Sequence, residues 1–120
     1  MVALSYDTAT ESVAVTATSG GASSDVVYTC PNNHDAIITF LHISNGAAST
    51  GTVSIQWYHK EDDTYYTIVN NKSISGQDVY NMITSDRMHL HQGDKITAFN
   101  GGGTMGVTVS VEEHYNPNRR

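Results

Sequence analysis

Two histidines one residue apart, His89 and His91, are the most suggestive chemical pair in this 120-residue chain. On a strand, residues i and i+2 share a face, so both imidazoles could approach one metal ion. Repeated around a three-fold axis, the pair would offer an octahedral set of nitrogens. Spacing places no third ligand beside them, because His42, His59 and His114 fall on other predicted strands. The expected arrangement is therefore plain: Met88 and Leu90 fill a core, while His89 and His91 face water. No metal and no cofactor is expected.

Other reactive side chains are equally isolated. Cys30 is the single cysteine, which excludes an intramolecular disulfide and any multi-cysteine zinc site. It ends an apolar strand beside Pro31 and reads as a small buried thiol. Glu61-Asp62-Asp63 lacks the alternating oxygen ligands of a calcium loop and reads as a solvated hairpin tip. Gly101-Gly102-Gly103 lacks the lysine of a phosphate-cradling loop, and no Gly-x-Ser-x-Gly elbow exists. Asn71-Lys72-Ser73 matches a glycosylation acceptor, a triplet common by chance. The chain is expected not to be an enzyme.

Aromatic side chains offer binding instead of catalysis. Tyr58, Tyr65, Tyr66 and Tyr80 suit either protein contacts, where tyrosine is enriched, or a sugar-stacking groove. Protein contact is the expected use. Trp57 keeps phase with Val53 and Ile55 and is assigned to the core. Arg119 and Arg120 form a basic end that could engage an acidic neighbour.

The elements that must position these groups are strands. Lys and Arg number 6 against 12 Asp and Glu, a formal charge of −6 that disfavours a nucleic-acid backbone as partner. No apolar run is long enough for a membrane helix, and the first residues lack the basic start of a signal peptide. The composition reads as a soluble protein made in a cytoplasm. Alternation predicts strands over residues 13–18, 25–30, 36–44, 52–60, 65–69, 86–91, 95–99 and 105–111, with 72–74 able to add a short one. The run 36–44 is apolar enough to be buried on both faces. Residues 76–84 are expected to be helical for a turn or two. Gln92-Gly93-Asp94 is expected to close a hairpin between 86–91 and 95–99. The whole is expected to be an all-β, antiparallel two-sheet β-sandwich, jelly-roll or Ig-like, of about eight strands. Its organisation reads as an N-terminal arm (1–12), a sandwich domain (13–115) and a C-terminal tail (116–120).

One set of segments resembles small virion proteins of tailed bacteriophages. It comprises Tyr28-Thr29-Cys30-Pro31, then Ala36-Ile37-Ile38 leading to Ile43-Ser44-Asn45, and an alternating strand from Val53 to Trp57. Leu90-His91-Gln92-Gly93-Asp94-Lys95-Ile96 and Val107 to Glu113 complete it. The resemblance spans roughly residues 26 to 113. It implies a β-sandwich that joins a virion, most often as a head decoration or cement protein on the major capsid protein. A neck, tail or fibre component is the alternative within that group, and a glycan-binding host-attachment module is the alternative outside it. A homo-oligomer, with a trimer favoured, and a virion location follow from the same resemblance.

Overall fold

The computed structural model describes residues 6–83 and 87–116, which build two antiparallel sheets packed face to face. The strands are β1 (Tyr6–Val15), β2 (Asp25–Thr29), β3 (His34–Asn45), β4 (Gly51–His59) and β5 (Thr64–Ile74). They continue with β6 (Val79–Ile83), β7 (Met88–Leu90), β8 (Lys95–Gly102) and β9 (Met105–Tyr115). The first sheet runs β1-β9-β3-β6, and β7 pairs with the other half of β3; the second runs β2-β8-β4-β5. Consecutive strands change sheet at every connection except β4–β5 and β6–β7. This order is that of a jelly roll and not of an Ig-like sandwich.

Alternation explains why these segments pair as they do. In β9, Met105, Val107, Val109 and Val111 are buried, while Gly106, Thr108 and Ser110 between them are partly exposed. Ile38, Leu41, Ile43 and Leu90 meet Val53, Ile55, Ile96 and Ala98 across the sandwich, all fully buried. Each such branched side chain contributes about 1.5–3 kcal/mol by leaving water.

A buried polar residue ties the loops together at each end of the sandwich. At one end Asn45, 1% exposed, donates from Nδ2 to the carbonyls of Ser49 and Ile74 at 3.0 Å. Its Oδ1 accepts from the N–H groups of Ala47 (3.0 Å) and Thr104 (3.3 Å). At the other end Asp94, also 1% exposed, accepts from the N–H of Lys60 (3.0 Å), the N–H of His91 (3.1 Å) and Trp57 Nε1 (3.3 Å). Cys30 N–H donates to the Asp94 carbonyl at 2.9 Å, which fastens the β2–β3 turn to the same hub.

Several expectations are corrected. Residues 6–12, expected as an arm, are the first part of β1 and pair continuously with β9. Residues 79–83, expected as helix, are β6, because the half of β3 beyond β7 needs a partner. The segments 86–91 and 95–99 do not pair with each other: β7 joins the first sheet and β8 the second, so Gln92-Gly93-Asp94 carries the chain across. Residues 65–74 form one strand, β5, whose register shifts beside the left-handed Asn71 (φ 48°). β3 is central in its sheet but covered on one face only. In the expected tail, Asn116 N–H donates to the Asn33 carbonyl at 2.6 Å. Arg119 and Arg120 lie outside the described residues.

Candidate functional site

The uncovered face of the first sheet is the surface with the least structural reason to be as it is. Its rows are set by register. Thr10, Ser110 and Phe40 lie side by side; so do Ser12, Thr108, His42 and Asn81; so do Ala14, Gly106, Ser44 and Val79. Hydroxyls pair across strands, Thr10 Oγ1 with Ser110 Oγ at 3.0 Å and Ser12 Oγ with Thr108 Oγ1 at 2.9 Å. Phe40 stacks on His42 with ring planes 11° apart, and His42 Nδ1 meets Asn81 Oδ1 at 2.7 Å.

These three rows contain no Asp, Glu, Lys or Arg. Phe40 is nevertheless 38% exposed and Val79 52% exposed. Charges begin only in the next rows, where His114 Nε2 lies 3.5 Å from Glu112 and His91 Nδ1 lies 3.3 Å from Asp35. The face is thus a neutral, hydroxyl-rich plate with two exposed apolar side chains set two rows apart and a histidine–carboxylate margin.

Phe40 faces outward because β3 carries an irregularity against β9 between Ile38 and Phe40. Before it, the buried residues are Ala36 and Ile38; after it they are Leu41, Ile43 and Asn45. The only trace in the sequence is the alternation of Leu41 and Ile43 with His42 and Ser44 after the irregularity. The continuous apolar run hid it.

The predicted site residues fall in different places. His89 and His91 are exposed on the strand face opposite the buried Leu90, and Met88 packs against the core. Among the described residues no group of three His, Cys, Asp or Glu side chains is placed to hold a metal ion. Tyr58 and Tyr65 are cross-strand neighbours with ring centroids 4.7 Å apart. The Tyr58 hydroxyl donates to Asp63, which raises its pKa to about 12. Tyr66 stands beside Trp57 (5.4 Å) and donates to Asp62 at 2.6 Å. That bond raises the Tyr66 phenol and is the chief reason the Asp62 carboxyl sits below its usual range. Tyr80 is separate, on β6, with the Lys72 ammonium 4.7 Å from its ring centre. Three tyrosines therefore cluster at the β4–β5 hairpin and the fourth does not join them. Trp57 is half-buried and packs against the core. Cys30 is 1% exposed, with Sγ 3.4 Å from the His34 carbonyl.

A shallow polar groove lies at the Asp94 end, lined by Asn32, His59, Lys60, Glu61, His91 and Gln92. Both of its histidines already meet a carboxylate through Nδ1, His59 with Asp62 at 3.2 Å and His91 with Asp35. Sequence reasoning also missed the two hubs. The side chains of Asn45 and Asp94 serve the fold.

No known protein family matches the chain, and no curated protein does. Among solved structures it is similar to a chain of the Bacillus endospore appendages, which are disulfide-linked pili. That match has 12% identity and a TM-score of 0.49, over 94% of this chain and 88% of the other. It is also similar to a chain of the cyanophage Pam1 capsid asymmetric unit, at 15% identity and a TM-score of 0.48, over 93% and 85%. A third is a chain of the virus-like particle of Macrobrachium rosenbergii extra small virus, at 10% identity and a TM-score of 0.40, over 95% and 82%. Similarities this distant place the chain in no family.

Proposed function

We propose that this protein is a non-enzymatic structural component of a tailed-bacteriophage virion, a head decoration protein that seats the open face of its first sheet on the assembled shell. The observation that carries the reading is the exposed pair Phe40 and Val79 on a plate without charged side chains, in a chain whose formal charge is −6. Depletion of charged side chains is the compositional mark of an interface core. The resemblance of residues 26 to 113 to phage virion proteins supplies the partner, the major capsid protein or a neighbouring virion protein.

The mechanism is mass action. A protein that binds the assembled shell and not its separated subunits stabilises the shell. Phe40 and Val79 are already partly out of water, so burying the remainder contributes only about 1 kcal/mol each, and single contacts are weak. Many copies acting together on one particle provide the strength. A glycan-binding role draws less support, because the hydroxyls of Tyr58 and Tyr66 are already committed to Asp63 and Asp62.

The test uses particles prepared without the protein. Wild-type protein is expected to bind the shell in many copies and raise its resistance to heat. Phe40→Asp is expected to keep the fold, since the side chain is already partly in water, and to lose binding. Imaging that finds a few copies at one vertex would move the role to the neck or tail. No binding to any part of the particle would overturn the virion reading.

A further inference from the structure

We infer that β1 is an adhesive edge by which two copies of this chain pair, antiparallel and about a two-fold axis at Thr10, into one continuous sheet. The inference concerns the edge of the first sheet and does not rest on the proposed contact between its face and a shell.

A sheet edge exposes a row of unpaired N–H and C=O groups, and folded proteins usually blunt such rows. Three of the four edges here are blunted. β2 is five residues long with a register shift between Val26 and Tyr28. β5 is interrupted at Asn70-Asn71 and carries Lys72. The far edge of the first sheet is divided between β6, of five residues, and β7, of three. β1 differs. Among the described residues it pairs ten residues with β9 without a shift and has no other strand neighbour; it contains no Pro, Lys or Arg, and its only charged residues are Asp7 and Glu11.

The residues of β1 also select its partner and register. In a two-fold antiparallel pair a residue at the axis faces its own copy, so the permitted registers are centred on single residues. For β1 the two registers of greatest overlap are centred on Thr10 and Glu11. Centring on Glu11 sets two carboxylates directly opposite, which is destabilising. Centring on Thr10 sets Thr10 against Thr10, Thr8 against Ser12, and Glu11 against Ala9. No acid then stands directly opposite an acid, and the two Glu11 residues become diagonal neighbours instead. Thr–Thr and Thr–Ser are favourable cross-strand pairs. They extend the Thr10–Ser110 and Ser12–Thr108 hydroxyl rows already present. Thr8, Thr10 and Ser12 are all exposed, so their side chains leave the core undisturbed.

Sedimentation of the intact protein over a range of concentrations is expected to show a reversible dimer. Thr10→Asp places two carboxylates face to face on the axis. It is expected to weaken the dimer roughly a hundredfold, the scale of like-charge juxtaposition, with an unchanged circular dichroism spectrum. Thr10→Cys is expected to cross-link to itself under mild oxidation. Thr8→Cys is expected not to, because Ser12 stands opposite it, and the buried Cys30 provides the wild-type control. A monomer at every concentration would overturn the inference. A dimer that tolerates Thr10→Asp and leaves Thr10→Cys uncross-linked would overturn the edge and its register.

Discussion

Asp94 and Asn45 perform at the residue scale what turn propensity alone cannot. Each satisfies several backbone groups from loops that are distant in sequence, and each is buried. Removing either side chain leaves those groups unpaired away from water. Asp94→Ala and Asn45→Ala are each expected to cost about 3 kcal/mol, read as a lower midpoint in urea unfolding. Asp25 governs part of the acid response. Its carboxylate accepts from the N–H groups of Ala17 (2.8 Å) and Thr16 (2.6 Å), which hold its pKa below the ordinary 3.8. The folded state thus releases a proton that the unfolded chain keeps. The associated stability is complete above pH 3.8 and is lost as pH falls through the lower folded value. Asp25→Asn is expected to flatten the acid limb of a stability–pH profile. The chemical types of these residues were plain in the sequence; their roles were not, because most of their partners lie in other segments of the chain.

Among the elements, the β4–β5 hairpin was legible because its partners are adjacent in the chain and its acidic turn separates two alternating runs. β6 was not. Val79, Met82 and Ile83 stand at i, i+3 and i+4, the spacing of a helical face, and only the unfilled edge of β3 makes them a strand. The connection from β7 to β8 was misread because a crossover between sheets uses the same turn residues as a hairpin. Gly93 is needed there for its left-handed backbone (φ 82°) and because the Lys60 stem lies where a Cβ would project, 2.1 Å from its Cδ. Gly93→Ala is expected to cost about 1–2 kcal/mol in backbone conformation, with a further loss from displacing Lys60. A double-mutant cycle with Lys60→Ala is expected to recover that second part, as measured by thermal unfolding. β3 shows the converse case. Its apolar run was read as buried on both sides, and the side left uncovered is the one that now suggests a partner.

For the molecule as a whole, the sandwich class was legible and the topology was not, since alternation is the same in whichever sheet a strand resides. The arrangement has a consequence for the order in which the chain can fold. β9 lies between β1 and β3, so the first sheet has no continuous hydrogen-bonded path until residues 105–115 exist. Among the described residues β1 has no other partner strand, and it must wait for β9 through the synthesis of nearly ninety intervening residues. Such non-local pairing places folding in the slow range of milliseconds to seconds. On the ribosome, the β4–β5 hairpin is the longest strand pair able to form early, and it belongs to the second sheet. Nascent chains arrested before residue 105 are therefore expected to remain open to protease in β1, with its protection arriving once β9 has emerged, whereas β3 can already pair with β6 and β7.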